Sequence, residues 1–428
     1  MRLLHINHRY APYSGGSEVV IQRISEAFAR DGHDVTVVTS DAFDLEYFWD
    51  RRRRKIDAPP TEDLGGVRVI RVPVRHLPAS PIVFQGSRRL MGELSRVLRP
   101  ACPFEYVSRI QPWIPGLRDA MRSAGQVDVV LATNLGLESL AVVAHEHARR
   151  IGAAFALMPF LHLGPDDSPV ARRYVTMPHQ LKLLRDADVV MTMTEREREF
   201  ITGLGVPPGR VVVTGAGVDV DAVTGGDGVG FRNRHQLDGF VVGSLGPPSA
   251  EKGTPDLVRA IASLRRAGRD VSLVIAGPPL SGFTRWFESL TPDERAGVRM
   301  LGYIDTAERR DLLAAIDTFA LTSRTESFGI VYLEAWVNRK PVIAARAGAV
   351  PELVRDGETG LLVPYGNPDA LARTIGLLMD DEALRQSLGE HGRQLSESRY
   401  TWPDVLRRVE RGYLIATERM PPLPEGAE

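Results

Sequence analysis

The chain has 428 residues, of which 43% are hydrophobic and 25% charged, with a formal net charge of −1. This length and composition imply an ordinary soluble globular protein of two or more domains, and the near-zero charge argues against any general attraction to nucleic acid. The single cysteine, Cys102, excludes an intrachain disulfide and a cysteine-based zinc site, and fits a reducing compartment.

The first apolar run, Leu3 to His8, reads as a buried strand, and it is too short for a signal peptide. A turn-rich loop follows and ends in Gly15-Gly16. A helix is expected from about Glu18 to Arg30, with Val19, Val20, Ile24, Ala27 and Phe28 as its apolar stripe. Val35 to Thr39 is the next strand. This β-loop-α-β opening is typical of parallel α/β sheets. The glycine pair reads either as a tight turn or as a place where backbone approaches a ligand, and its position after the first strand favours the ligand.

Residues 41–81 are less regular, with one strand at Val67 to Val72. They hold a basic run, Arg51-Arg52-Arg53-Arg54-Lys55, next to Tyr47, Phe48 and Trp49. A solvated surface is the ordinary reading of such a run; a patch for anionic lipid or an anionic acceptor is the sharper one. Residues 82–124 read as two helical segments broken by Pro100, Pro103, Pro112 and Pro115. Strands and helices then alternate: strands at Val127 to Ala132, Ala153 to Pro159, Val189 to Met193 and Val211 to Val213, with a helix from Gly136 to Arg150. His162 lies just past a strand end, where α/β sheets bind ligands. It reads either as a buried structural histidine or as a functional one, and the location tips the balance toward function.

The glycine-rich stretch from Gly215 to Gly230 is the expected linker. A second α/β series follows. It begins with the strand Phe240 to Leu245, a loop carrying Lys252, and a helix from Thr254 to Arg266. Strands at Val271 to Gly277, Val298 to Tyr303 and Ile316 to Leu321 come next. The last leads into Ser323-Arg324-Thr325-Glu326-Ser327-Phe328-Gly329, a polar loop, and then a helix from Ile330 to Val337 that carries Glu334. Such a strand-to-helix turn offers free N–H groups and a positive dipole end, which suits a phosphorylated, hydroxyl-rich ligand. Strands at Pro341 to Ala344 and Gly360 to Val363 and three further helices complete the chain. No stretch approaches the ~20 apolar residues of a membrane span. The expected location is therefore cytoplasmic, with peripheral contact to the membrane face permitted by the basic run.

No G-x-G-x-x-G, G-x-x-x-x-G-K-[ST] or G-x-S-x-G motif occurs, so nicotinamide, P-loop and hydrolase fingerprints are missing. The D-x-D triplets at Asp186 and Asp219 are too short a pattern to count as metal sites, and His145 and His147 lack the i, i+4 spacing of a zinc helix.

Several segments, taken in order, resemble the retaining glycosyltransferases of family four. They are Tyr10 through Glu18, Val213 through Asp219, Lys252-Gly253, Glu326-Ser327-Phe328-Gly329-Ile330 through Glu334-Ala335, Pro341 through Ala344, Gly348, Pro351-Glu352, and Asp356 through Val363. The resemblance spans nearly the whole chain. It implies a GT-B fold: two Rossmann-like parallel α/β domains facing a central cleft, with the C-terminal helix packing back on the N-terminal domain. The implied divisions are 1–222 for the acceptor, 223–400 for the nucleotide-sugar donor, and 401–428 for the returning helix and a frayed tail.

The same resemblance implies roles for residues. Glu334 would hold the ribose hydroxyls, since one carboxylate accepts two hydrogen bonds. Glu326 would accept a donor-sugar hydroxyl. Backbone amides around Ser327, Phe328, Gly329 and Ile330 would hold sugar and phosphate, and Lys252 would neutralise the leaving diphosphate. Gly16 would bring the N-terminal backbone to the phosphates, while Gly15, Gly16 and His162 would face the acceptor. Gly243 and Ser244 would border the phosphates, and Gly302 and Tyr303 the base. His162, Lys252 and Glu326 form the expected catalytic set. No metal or other cofactor is implied; the partners are a UDP- or GDP-linked sugar and a hydroxyl acceptor. At two positions the chain departs from the family pattern: Ser244 stands where the family has an arginine, and Arg339 where it has a glycine. A catalytically silent nucleotide-binding module and a GT-B epimerase are the alternative readings.

Overall fold

The computed structural model describes residues 1–13, 15–164 and 172–418. It divides into two compact units. One comprises Met1–Leu161, Ser168–Gly215 and Val405–Glu428; the other comprises His162–Asp167 and Ala216–Asp404.

The first unit is built on eight strands in the order β3-β4-β2-β1-β5-β6-β7-β8. These are β1 (Arg2–Ile6), β2 (Asp34–Ser40), β3 (Thr61–Leu64), β4 (Val67–Val72), β5 (Val129–Thr133), β6 (Ala154–Met158), β7 (Val189–Thr192) and β8 (Val211–Val213). The central strands carry continuous apolar runs because helices cover both faces; Leu4, Ile6 and Val129 through Ala132 are fully buried. The sheet is not purely parallel. The expectation missed β3, a short edge strand that pairs antiparallel with β4. Its sequence, Thr-Glu-Asp-Leu, has no apolar alternation to betray it. The hairpin forms because Gly65 and Gly66 both take positive φ, +63° and +82°, as a tight two-residue turn requires.

Residues 82–124 form three helices rather than two: Ser80–Leu94, Cys102–Ser108 and Leu117–Ser123. Prolines open the first two of these, at the start of the helix, where a missing N–H costs nothing. In the basic run, three of the five cations pair with acids that precede it in the chain. Arg52 binds Asp50, Arg53 binds Glu46, and Arg54 binds Asp44 at 2.8 Å. The ordinary reading of that run therefore describes it better than the anionic-patch reading.

The second unit carries six parallel strands in the order β11-β10-β9-β12-β13-β14. They are β9 (Phe240–Leu245), β10 (Val271–Ala276), β11 (Val298–Gly302), β12 (Thr318–Leu321), β13 (Val342–Ala345) and β14 (Gly360–Val363). Helices Thr254–Arg266 and Pro368–Asp380 cover one face, through a core that includes Leu257, Ile261, Leu273, Ile343, Leu371 and Ile375. The stretch expected to be a linker is largely structured. Short helices at Val220–Val223 and Gly228–His235 occupy it, each started by an aspartate side chain, Asp219 or Asp227, that accepts a backbone N–H. Gly226 and Gly228 are needed there because a Cβ would strike the backbone of Arg310 or Ala314. Helix Thr306–Ala315, which the sequence reading passed over, supplies that backbone.

The final helix, Trp402–Ala416, begins in the second unit and belongs to the first from Val405 onward. There Tyr413 meets His5 at 3.0 Å and Gly412 lies against Met191. Among the described residues no helix is long and apolar enough to cross a membrane.

Candidate active site

In an open parallel sheet, ligands collect where the strand order reverses, because the loops there part and leave a crevice at the strand C-termini. In the second unit that point lies between β9 and β12, which are neighbours in space but far apart in sequence. The Lys252 loop leaves β9 and the Glu326 loop leaves β12, so the topology itself brings these two side chains together.

Local packing then fixes both loops. Gly253 has φ +66°, and a Cβ on it would lie 2.2 Å from the Thr322 carbonyl oxygen, so the lysine loop rests on the end of β12 only because residue 253 is glycine. Gly329 has φ +100° and starts helix Ile330–Val337. A Cβ there would strike the Tyr332 ring at 2.5 Å, while the Tyr332 hydroxyl donates to the Leu321 carbonyl at 2.8 Å and ties the helix back to β12. The helix is apolar on every side except at Glu334, as expected of a helix buried all round.

Lys252 Nζ donates to Glu326 Oε2 at 2.7 Å, and Ser323 Oγ donates to the same oxygen at 3.2 Å. Burial pushes the Glu326 pKa up, but Lys252, His162 and these two hydrogen bonds outweigh it and hold the carboxyl below its ordinary value. His162, grouped with this unit, hydrogen-bonds the Thr325 backbone and faces the Glu326 charge. Part of its surface is open to water, and neighbouring protein atoms crowd the rest of the ring. That crowding lowers its pKa, Lys252 adds to the effect, and Glu326 opposes it. Gly348, with φ +60°, lets a further loop close on this cluster; a Cβ there would lie 2.7 Å from the Leu163 carbonyl oxygen and 3.1 Å from the Glu326 nitrogen. The structure thus brings His162, Lys252 and Glu326 into one cluster.

Glu334 lies one helix turn deeper and is almost wholly buried. The guanidinium of Arg309, from helix Thr306–Ala315, pairs with its carboxylate. Burial raises the Glu334 pKa, and Arg309 restrains the rise without cancelling it. Arg309 Nε is buried and has no hydrogen-bond partner among the described residues. No motif flagged Arg309. Its only signal was a basic side chain on a helix, which is ordinary.

The other expected residues of the second unit fall in three groups. Ser327 and Ile330 are half-buried beside the cluster, and the Phe328 ring is buried and meets Tyr400 edge-on at 5.5 Å. Gly243 is buried inside β9, and what requires glycine there is Ile316, whose Cγ2 would lie 2.6 Å from a Cβ. Ser244, next to it, is buried near the strand end. Arg324, the arginine of the Glu326 loop, directs its guanidinium at Glu251, 3.5 Å away. Gly302 ends β11 with φ +69°, and the exposed Tyr303 follows it. They stand two strands from β9, about 10 Å at the usual strand spacing. Arg339, where a glycine was expected, has φ +57°. The left-handed backbone that glycine would satisfy is present, and an arginine carries it.

The first unit has its own reversal point, between β1 and β5. Asn7 Oδ1 accepts hydrogen bonds there from Thr133 at 2.6 Å and Asn134 at 2.9 Å. Below it Glu138 is fully buried and takes bonds from His179 at 2.7 Å and Arg88 at 3.1 Å, with Gln180 near. Burial pushes the Glu138 pKa up, but Arg88 and His179 hold it down to about 2. The sequence reading missed this network because its members are scattered across 88, 138, 179 and 180. Gly15 caps helix Gly16–Arg30 in extended backbone. A Cβ on Gly15 would clash with Glu18 at 2.5 Å and Tyr13 at 2.7 Å, whereas one on Gly16 would meet nothing within 4 Å. Gly15 is therefore needed for packing, and Gly16 leaves its backbone open.

Comparison with known proteins accords with this geometry. The family description "Glycosyl transferase 4-like domain" matches residues 15–217, and "Glycosyl transferases group 1" matches residues 231–395. The chain is 31% identical over 419 residues to a D-inositol 3-phosphate glycosyltransferase of Actinosynnema mirum, covering 91% of this chain and 90% of that protein. It is 28% identical over 421 residues to the enzyme of the same name from Xylanimonas cellulosilytica, covering 95% and 93%. Among solved structures, sucrose-phosphate synthase of Thermosynechococcus elongatus superposes with a TM-score of 0.73 at 18% identity, covering 98% of this chain and 100% of that one. Anabaena HepE in complex with UDP and glucose superposes with a TM-score of 0.70 at 20% identity, covering 96% and 98%. Two α/β units of this topology, the cluster at the second reversal point and these likenesses lead to one conclusion: the chain belongs to the group 1 glycosyltransferases of family four, enzymes of the GT-B fold.

Proposed function

We propose that this glycosyltransferase moves a sugar from a nucleoside-diphosphate sugar to a hydroxyl acceptor, with retention at the reacting carbon and without a metal. The observation that carries the proposal is the Lys252–Glu326 contact of 2.7 Å at the reversal point of the second sheet, beside the N-terminus of helix Ile330–Val337. Negative charge grows on the departing diphosphate in the transition state. A fixed ammonium and free helix N–H groups lower the barrier because they are aimed before the charge develops. Lys252 then serves in place of a metal. Glu326, held ionised, accepts a donor-sugar hydroxyl, and Glu334 accepts the ribose hydroxyls. Gly302 and Tyr303, two strands away, fit the base. Retention follows if the acceptor oxygen attacks on the face from which the diphosphate leaves, so that its proton passes to the departing phosphate oxygen. His162, hydrogen-bonded to the Thr325 backbone near Glu326, orients the sugar at that step. Gly15 and Gly16 of the first unit take the acceptor side.

The test is a thermal-shift and turnover screen with UDP-, GDP- and ADP-sugars, and with hydroxyl acceptors that include inositol 3-phosphate. A nucleotide present at a hundredfold excess over Kd stabilises the fold by about 2.7 kcal/mol. A shift with one nucleotide, with hydrolysis or transfer lost in Glu326→Ala, supports the proposal. No shift with any of the three would sink it.

A further inference from the structure

Helix Ser80–Leu94 of the first unit carries apolar residues on two opposite faces, and among the described residues only one face is covered. The inner face packs through Met91 against Phe104 and Met177. Gly92 lies against the Tyr174 ring, 3.1 Å from where a Cβ would be, and Arg88 reaches inward to Glu138. The outer face holds Val83, Leu90 and Leu94. The i→i+4 hydrogen bond from Leu98 N to the Leu94 carbonyl carries the helical course on past Val97. The spacings 83, 90, 94 and 97 place these four side chains in one stripe along the helix. Leu90 is 58% exposed and Val97 77%. Ile82, 77% exposed, and Ile110 extend the apolar surface, and Val83 and Ile110 line one small pocket. Of the thirteen exposed large hydrophobic residues among the described residues, eight fall between positions 82 and 110. A cluster of this size needs a partner, whereas single exposed apolar residues do not.

The charges around the stripe say which partner. Residues 80–110 hold five arginines and two glutamates in a chain whose overall charge is −1. Both glutamates are satisfied within the protein: Glu93 by Arg96 and Arg173, Glu105 by Lys182. Arg89 and Arg99 are exposed and have no acidic partner among the described residues. A second copy of the chain fits poorly, because a two-fold interface would set this arginine-flanked face against itself. Apolar side chains in a stripe with arginines beside them suit the boundary between headgroups and acyl chains of an anionic bilayer.

We infer that the outer face of helix Ser80–Leu94, continued through Val97, is a docking surface for an anionic lipid bilayer, which it enters with Val83, Leu90, Leu94 and Val97 while Arg89 and Arg99 meet the headgroups. This goes beyond the transfer reaction proposed above and does not depend on it. The experiment uses the full chain and extruded vesicles of phosphatidylcholine alone or of equal parts phosphatidylcholine and phosphatidylglycerol, read by co-sedimentation. The expected result is binding to the anionic vesicles only, weakened by salt and reduced about tenfold or more in Leu90→Glu/Val97→Glu. Arg89→Glu/Arg99→Glu should lose the preference for anionic lipid. Both pairs are solvent-exposed, so thermal melts should match the parent. Three results would overturn the inference: no binding to anionic vesicles above the neutral ones, unchanged binding in Leu90→Glu/Val97→Glu, or a dimer of the parent chain that this variant dissociates.

Discussion

The two sheets reverse their strand order in the same manner, yet the crevices at the two reversal points are chemically unlike. In the first unit, Glu138 is sealed from water, and Arg88, His179 and Gln180 answer its charge and hydrogen-bonding capacity from within the protein. In the second, Lys252 keeps about a quarter of its side chain exposed, and His162 stands open to water beside Glu326. A charge network closed on itself holds a fold together. One that keeps a cation at the surface retains capacity for an anionic ligand. The difference separates scaffold from site where topology alone would nominate both.

The largest expected effect tests the open crevice. Lys252→Ala and Glu326→Ala should each lower transfer by about 10²–10³-fold, the range seen when one preorganised transition-state contact is removed, while circular dichroism and the melting profile stay near the parent. Equal activity in Lys252→Ala would return the comparison to topology alone.

The closed crevice should respond in stability. Glu138→Ala leaves Arg88 and the fully buried His179 without their carboxylate and should cost about 3 kcal/mol, read from denaturant midpoints. The donor KM should hardly move. The parent should show the linked pH dependence. Glu138 has a folded pKa of about 2 against an ordinary 4.5, so its contribution is complete above about pH 4.5 and is lost as pH falls toward 2. The slope of stability against pH in that window should flatten in Glu138→Gln.

Arg309 sits between these extremes, since it closes part of the open site. Removing it in Arg309→Leu leaves Glu334 buried with nothing to restrain its raised pKa. A protonated Glu334 is a poorer acceptor for ribose hydroxyls, so the donor KM should rise about tenfold, near the cost of one charge-assisted hydrogen bond. kcat should change less. The acid limb of kcat/KM should move to higher pH, and Arg309→Lys should restore most of the loss. A kcat effect without a KM effect would argue against that division.

The smallest effect lies outside both crevices and serves as background. Arg339 holds φ +57°, where a side chain is strained. Arg339→Gly relieves that strain, partly offset by the freer unfolded chain, and should stabilise the protein by about 0.5 kcal/mol. A melting curve detects it, and activity should not change.

Much of the fold was legible in the chain because parallel strands covered on both faces read as unbroken apolar runs. Helix Ile330–Val337 was located to the residue, since Gly329 and the dense apolar segment after it mark its start. Strand β3 was not legible, because an edge strand need bury nothing on its outer side. Helix Thr306–Ala315 was passed over between two stronger strand signals. The basic run at 51–55 reads first as a solvated surface, and the sequence does not show that Asp50, Glu46 and Asp44 pair with Arg52, Arg53 and Arg54.

By itself, the sequence determined the two α/β series, the strand-end positions of His162, Lys252 and Glu326, the helix that carries Glu334, and membership in the family, because those signals are local: apolar runs, glycines at fixed turns, and residues close along the chain. Only the tertiary structure decided which charges meet. Lys252 reaches Glu326 because β9 and β12 are neighbours, Arg309 reaches Glu334 from a neighbouring helix, and Glu138 finds Arg88 and His179 on two helices far from each other along the chain. Pairings of that kind depend on sheet order and helix packing, and no spacing along the chain encodes them.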